Sequence, residues 1–292
     1  MILKYVVQNE KYESIHQILK QELKISSRLL QKLISNKYVS LNGTITDTRN
    51  PVSIGDIVTV NLDFEEKSEN IVPTKMQLDI IFEDEAFLVL NKPAGIAVHP
   101  SILHYQDSLS NGVKYYFEEI GLHKKIRPVN RLDLHTSGLI VFAKNEYVQE
   151  CLITQMRENL FKKEYITIVS GQLENQKGSI QLPIARKPNS IIERCVSADG
   201  QEAITDYEVV QSFKDYSVVK CLLKTGRTHQ IRVHMSAIGH PLLGDTLYGS
   251  SSNLINRQAL HSYNISFVHP ITHKKIDLHA DLPEDMKLLL KN

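Results

Sequence analysis

The chain has no tryptophan and only three cysteines among its 292 residues. Cys151, Cys195 and Cys221 are far apart, with no CxxC pair and no zinc-ligand spacing, so neither a disulfide framework nor a cysteine metal site is expected. A reducing compartment fits that usage. Net charge is nearly absent as well, at +1. No global field draws the chain toward an anion, so any affinity for a polyanion must come from local patches. No apolar run approaches the roughly 20 residues of a membrane span. The opening stretch MILKYVVQNEKYE turns charged too soon for a signal peptide. These absences lead us to expect a cytoplasmic protein with no membrane attachment. What is present is apolar residues, 42% of the chain, enough for a substantial core. At roughly 150 residues per domain the length fits two domains, or one large and one small.

The first 63 residues read as a small unit. Ile15, Ile18, Leu19 and Leu23 recur at helical spacing, and so do Leu29, Leu30, Leu33 and Ile34. Ser26 or Ser27 can cap the second helix. YVSLNG and GDIVTVNL follow as short strands. Residues 1–63 carry eight Lys and Arg against six Asp and Glu, a weakly basic balance. Residues 64–76 are polar and acidic at first, without hydrophobic period, and read as a linker. Few contacts are expected to cross it, so the large unit, 77–292, is expected to fold alone.

In that large unit, LDIIFEDEAFLVLNK, KEYITIVSG and YSVVKCLLKTG read as strands with helices interspersed and no repeating βαβ rhythm. The expected class is α+β with a mostly antiparallel, mixed sheet. RPVNRLDLHTSGLIVFAKN is the most informative stretch. Its run Leu139-Ile140-Val141-Phe142-Ala143 reads as a central strand buried on both faces. Asp133 then lies beside a dry sheet, where an ionised carboxylate needs a partner or a task. An Asp near a turn is ordinarily a turn-former, and that plain alternative stands at this point.

The second informative stretch is TGRTHQIRVHMSAIGHPLLGD. Thr228 can cap a helix running to Gly239. Ile231, Met235 and Ile238 form its core face, while Thr228, His229 and Arg232 share another face suited to an anion. His229 and His234 are five apart and point to different sides, so they do not make a metal pair. No G-x-S-x-G elbow supports a hydrolase. Basic clusters occur at Lys124, Lys125, Arg127 and Arg131, at Arg157, Lys162 and Lys163, and at Lys224, Arg227 and Arg232. Each alone could be a solvated face. Three of them, each beside a distinctive motif, favour a polyanion tracked across one pocket.

Taken together, RLDLHTSGLIVFAKN, KKEYITIVSG, GRTHQIRVHMSAIGHPLLGDTLYG, RQALHSYNISFVHP and EDEAFLVLNKPAGIAVHP resemble the RluA-type (ribosomal large subunit) pseudouridine synthases, in order and over nearly the whole chain. ISSRLLQKLISNKYVSLNG with PVSIGDIVTV resembles the small alpha-L RNA-binding domain, whose second helix and following turn face RNA; Arg28, Lys32 and Lys37 would do so here. The resemblance implies Asp133 as catalytic carboxylate, Tyr165 as the aromatic residue against the target uracil and Arg232 as the partner of Asp133. It implies substrate contacts from Arg131, Thr136, Ser137, Gly138, Lys163, Gly226, Arg227, Thr228, His229 and Gln230. Uridine isomerisation breaks an N-glycosidic bond and rejoins the base through C5. A carboxylate can serve by attacking C1′, attacking C6 or removing a sugar proton. A base must leave its stack to be reached, and an aromatic ring replaces the lost stacking. No cofactor or metal is implied, and the partner is ribosomal or transfer RNA, bound by a monomer. The family commonly has His before Arg-Leu-Asp, where this chain has Asn130, which keeps hydrogen bonding but cannot carry charge; if that position helps to flip or place the RNA, the target preference differs. The competing expectation is a non-catalytic RNA-binding or ribosome-associated protein that keeps only the fold.

Overall fold

Alternating and helical apolar patterns fix the first elements. β1 (Ile2–Val6), α1 (Ile15–Gln21), α2 (Ser27–Ser35), β2 (Val39–Leu41), β3 (Thr44–Ile45) and β4 (Ile57–Asn61) build a four-stranded antiparallel sheet, ordered β1-β4-β2-β3, with two helices. This is a computed structural model, and it describes residues 1–66 and 70–291. Ser26 caps α2, its side chain accepting from the Leu29 amide at 3.3 Å. Ile15, Ile18, Leu19, Leu29, Leu30 and Leu33 are buried as their spacing requires. Ile34, expected on the same face, is 42% exposed. β1 was hidden in the sequence because its alternation is broken by Lys4 and Tyr5 on a strand that is mostly open to solvent.

The remaining elements are β5 (Ile80–Glu83), β6 (Phe87–Lys92), α3 (Leu109–Glu119), β7 (Arg127–Pro128), β8 (Ser137–Ala143), α4 (Glu146–Arg157), β9 (Lys162–Ser170), β10 (Lys177–Gln181), β11 (Ile184–Arg186), β12 (Arg194–Val196), β13 (Ile204–Ser212), β14 (Tyr216–Leu223), α5 (Gln230–Ala237), β15 (Leu260–Val268), β16 (Lys275–His279) and α6 (Glu284–Leu288). The large sheet runs β10-β13-β14-β9-β15-β8-β6-β5, with β16 on β15 and β7 on β8. Among the described residues its one parallel contact is β15 with β8, at His261–Ser137 and Ser262–Gly138. The fold is α+β with a mostly antiparallel sheet.

β8 is buried at all seven positions. Its period of two splits the core: Leu139, Val141 and Ala143 face one apolar cluster, and Ile140 and Phe142 face the other. The first cluster runs without a break from Leu3, Val60 and Leu62 of the N-terminal elements to Phe87, Val141 and Val148. The second packs α3 and α5 against the opposite face through Val113, Phe117, Ile231 and Met235.

This continuity corrects the expectation that few contacts cross the connecting segment. Phe64 and Glu66 are buried. The Phe64 ring stacks on Tyr38 with centroids 5.1 Å apart, and Lys124 Nζ donates to the Phe64 carbonyl at 2.6 Å. Glu66 accepts from both terminal nitrogens of Arg127, at 2.7 and 2.8 Å, and from Lys32 Nζ at 2.8 Å. The Asn111 side chain donates to the Val72 carbonyl at 2.8 Å. A polar, acidic segment without hydrophobic period reads as a loose connector. Its acid is matched instead by bases that the fold brings from residues 32 and 127.

Candidate active site

The end of β8 sets the site. Asp133 lies in the turn just ahead of that strand, its carbonyl accepting from the Thr136 amide at 3.1 Å. Asn130 secures this turn: its Nδ2 donates to the Leu139 carbonyl at 3.2 Å, and its Oδ1 accepts from the Val141 amide at 2.9 Å. Both ends of the buried amide are therefore spent on β8, so Asn130 faces the sheet and not a ligand. Gly138 has φ +107, and a Cβ there would collide with the Ser262 backbone across the parallel pair. Glycine is needed at that crossing.

Asp133 is half-buried. Its Oδ2 lies 3.2 Å from Arg232 Nη1 and 3.9 Å from His229 Nε2. Among the described residues its Oδ1 has no protein donor. Arg232 Nε and Nη2 donate to the two oxygens of Asp245 at 2.7 and 2.9 Å, and the guanidinium lies 4.9 Å from the Tyr248 ring centre. Burial pulls the Arg232 guanidinium down, but Asp245 and Asp133 outweigh it and hold its pKa above the ordinary value. The cation therefore persists at any working pH.

α5 starts later than expected. His229, not Thr228, is its N-cap, with φ 59 in the left-handed region, which His tolerates better than most residues. That residue places its ring against Asp133 while Nδ1 meets the Tyr248 hydroxyl at 2.7 Å. Burial lowers its pKa, Asp133 raises it, and Arg232 and Arg194 lower it; the net shift is downward. His234 lies on the other side of the helix, its ring nitrogens 2.9 Å from Thr205 Oγ1 and 2.9 Å from the Leu182 carbonyl. Among the described residues no group of three or more His, Cys, Asp or Glu could hold a metal ion.

Tyr165 is on β9, opposite Cys221 of β14, and is 5% exposed. Burial pushes its phenol up, the nearby Ser262 hydroxyl lowers it in part, and Asp133 adds to the rise. Arg131 is exposed, and Lys163 and Thr228 are half-buried. Arg227 Nε donates to the Glu202 carbonyl at 2.9 Å, and Gly226 is exposed on the same turn.

Four expected contacts go elsewhere. The Gln230 amide is consumed by the Ile204 carbonyl at 3.0 Å, Thr205 Oγ1 at 2.9 Å and the Arg227 amide at 2.9 Å, so it braces the turn. Ser137 Oγ meets His261 Nδ1 at 2.9 Å inside the core. Thr136 is buried beside Gln258, whose Nε2 is 3.5 Å from its hydroxyl. Lys32 is held by Glu66 at 2.8 Å, leaving Arg28 and Lys37 as the exposed bases of α2 and the turn after it.

Three residues escaped the sequence reading. Asp245 and Tyr248 hold Arg232 and His229 from a loop beyond the helix, and the only signal was an acid at the end of the GHPLLGD run. Lys92 is fully buried, its Nζ donating to the carbonyls of Pro93, Ile96 and Leu134 at 2.8, 2.8 and 3.0 Å. Burial lowers its pKa to about 7, Asp133 opposes that shift and Arg257 adds to it. It ties the turn after β6 to the Asp133 turn.

The family profile described as RNA pseudouridylate synthase matches residues 86–237, which contain Asp133, Tyr165 and Arg232. The uncharacterized RNA pseudouridine synthase YjbO of Bacillus subtilis is 40% identical over 271 residues, 92% of this chain and 96% of that protein. The ribosomal large subunit pseudouridine synthase D of Zymomonas mobilis is 37% identical over 285 residues, 92% of this chain and 89% of that protein. Among solved structures, human RNA pseudouridylate synthase domain containing 1 superposes with a TM-score of 0.59 at 22% identity, over 78% of this chain and 96% of that chain, a likeness of fold.

Proposed function

The chain belongs to the RluA-type RNA pseudouridine synthases, and from that premise we propose that it isomerises uridines of ribosomal RNA with Asp133 as the catalytic carboxylate. One observation carries the catalytic reading: Asp133 meets a fixed cation through Oδ2 and keeps Oδ1 unclaimed among the described residues. Arg232 supplies the counter-charge that a carboxylate in a half-dry site needs. The free oxygen is then available to the nucleotide, by attack on C1′ or C6 or by removal of a sugar proton.

Tyr165 supplies the ring against the extruded uracil, which replaces the stacking lost from the RNA. Arg131, exposed two residues before Asp133, contacts the RNA around the target. His229, with its lowered pKa, adds little positive charge, and its Nε2 stands 3.9 Å from Asp133 Oδ2, beyond a direct hydrogen bond. Residues 1–63 hold RNA through Arg28 and Lys37, residues 64–76 connect them to the rest, and 77–292 form the catalytic unit. One copy contains the whole Asp133–Arg232–Asp245 set, and we read the monomer as the working form.

Mapping pseudouridines in total RNA from cells with and without the gene tests the substrate. Loss of one or a few ribosomal sites is expected. Loss confined to transfer RNA would overturn the ribosomal target while leaving the chemistry intact.

A further inference from the structure

Among the described residues four lysines are buried, and each has acceptors. Lys92 has three carbonyls, Lys114 has Glu118 at 2.9 Å, Lys124 has the Phe64 carbonyl and Asp63, and Lys144 has Glu83 at 2.7 Å. Lys163 differs. It is half-buried, yet among the described residues no carboxylate or carbonyl receives its ammonium. Burial alone acts on it, pulling its pKa below the ordinary lysine range. A cation that is partly desolvated and unmatched is costly unless a ligand brings the counter-charge.

Its position says which ligand. Residues 163 and 165 point to the same face of β9, so Lys163 extends the face that carries Tyr165. β14 pairs with β9 through Cys221–Tyr165 and then runs into the Thr225-Gly226 turn. A Cβ on Gly226 would stand 3.3 Å from Lys163 Nζ, so the ammonium lies directly against that turn. The same turn continues through Arg227 to His229 and Arg232. Residues 221–244 contain no Asp or Glu, and Asp206 on the neighbouring strand is matched by Lys224 at 3.5 Å. Lys163 therefore stands between the Tyr165 ring and the turn that delivers His229 and Arg232 to Asp133.

We propose that Lys163 seats a phosphodiester of the RNA backbone, the one flanking the uridine that lies against Tyr165. This rests on the pseudouridine synthase reading above. A nucleotide turned out of its stack brings its flanking phosphates toward the protein, and a compact ammonium on a flexible stem suits one phosphate oxygen at the rim. The phosphate supplies the counter-charge that the fold omits, and RNA binding raises the affinity of Lys163 for its proton.

The test uses the full-length protein and a short stem-loop RNA carrying a uridine mapped as its target. Lys163→Met removes the charge at similar volume, and Lys163→Arg keeps it. KM for Lys163→Met should rise about tenfold with kcat within about threefold of the parent. Its salt slope for binding should fall by roughly 0.7–0.9, one phosphate contact. Lys163→Arg should recover most of both. A methylphosphonate at one of the two phosphates flanking the target should weaken binding by the parent and leave Lys163→Met unaffected. Affinity of the parent should weaken with rising pH more steeply than that of Lys163→Met. An active parent whose Lys163→Met variant keeps KM and salt slope overturns the phosphate seat alone. So does a variant that loses kcat with KM unchanged, or a Lys163→Arg variant as poor as Lys163→Met. A parent that forms no pseudouridine on the mapped RNA overturns the underlying reading and this proposal with it.

Discussion

Asp245 takes two donors of Arg232, Nε at 2.7 Å and Nη2 at 2.9 Å, and so turns the third nitrogen toward Asp133 at 3.2 Å. A bidentate pair fixes the plane of a guanidinium as well as its place. Asp245 is 1% exposed and Arg232 7%, so neither can be replaced by water without cost. Asp245→Ala should destabilise the protein by about 3–5 kcal/mol, the cost of leaving a buried charge unmatched. Asp245→Asn should fold better and still lose turnover at saturating RNA by at least about tenfold, because one of the two charge-assisted bonds is lost. Denaturant unfolding and single-turnover rates read the two effects apart. Parent-like turnover in both variants would show that Arg232 needs no such holding.

Tyr165 packs in the core, with Asp133 near enough to add to the rise of its phenol pKa, so its substitutions should report two effects. Tyr165→Ala should cost about 3–5 kcal/mol of stability through the cavity it leaves. It should also weaken base placement by about 1–3 kcal/mol, the usual value of one base on one ring. Tyr165→Phe should keep the packing and most of the RNA affinity. Thermal melts alongside RNA titrations separate the effects; a large loss of kcat in Tyr165→Phe would give the hydroxyl a chemical task.

The clasp around Glu66 should show in the acid limb of stability. Burial pushes its carboxyl pKa up, but the hydrogen bonds from Arg127 and Lys32 outweigh that and leave it below the ordinary value. A depressed folded pKa means that the contribution is whole above the unfolded value, near 4.3, and is lost as pH falls through the folded one. Melting temperatures of the parent and Glu66→Gln should therefore differ at pH 7 and converge below about pH 4. A gap that stays constant with pH would show that the clasp acts by shape alone. The shared core carries a related expectation: a fragment starting at Gln77 loses the partners of Phe87 and Val148 and should melt well below the full chain.

Much of the fold and of the site is legible in the sequence. The continuous run 139–143 could only be a strand buried on both faces, and β8 is that strand. The helical spacing of Ile231 and Met235 placed Arg232 and His229 on the face away from the core, and both reach Asp133. What stayed hidden depends on contacts distant in sequence. Asp245 meets Arg232 only because the chain turns back after Gly239. Glu66 meets bases at 32 and 127 only once both units are folded. Gln230 looked like a ligand contact because it sits inside a distinctive motif, yet Ile204 and Thr205 of the neighbouring strand claim it. A motif marks a place, and packing decides which of its side chains face the substrate.

If Asp133 performs the reaction, Asp133→Asn is the decisive variant. The measurement is single-turnover pseudouridine formation by parent and variant on RNA from cells lacking the enzyme. It is read beside RNA affinity and melting temperature. Asn keeps the size of the side chain and can still accept from Arg232, so folding and affinity should survive. Turnover should fall at least about 10³-fold, roughly 4 kcal/mol in barrier. A variant that folds, binds and turns over within tenfold of the parent would show that another group performs the reaction.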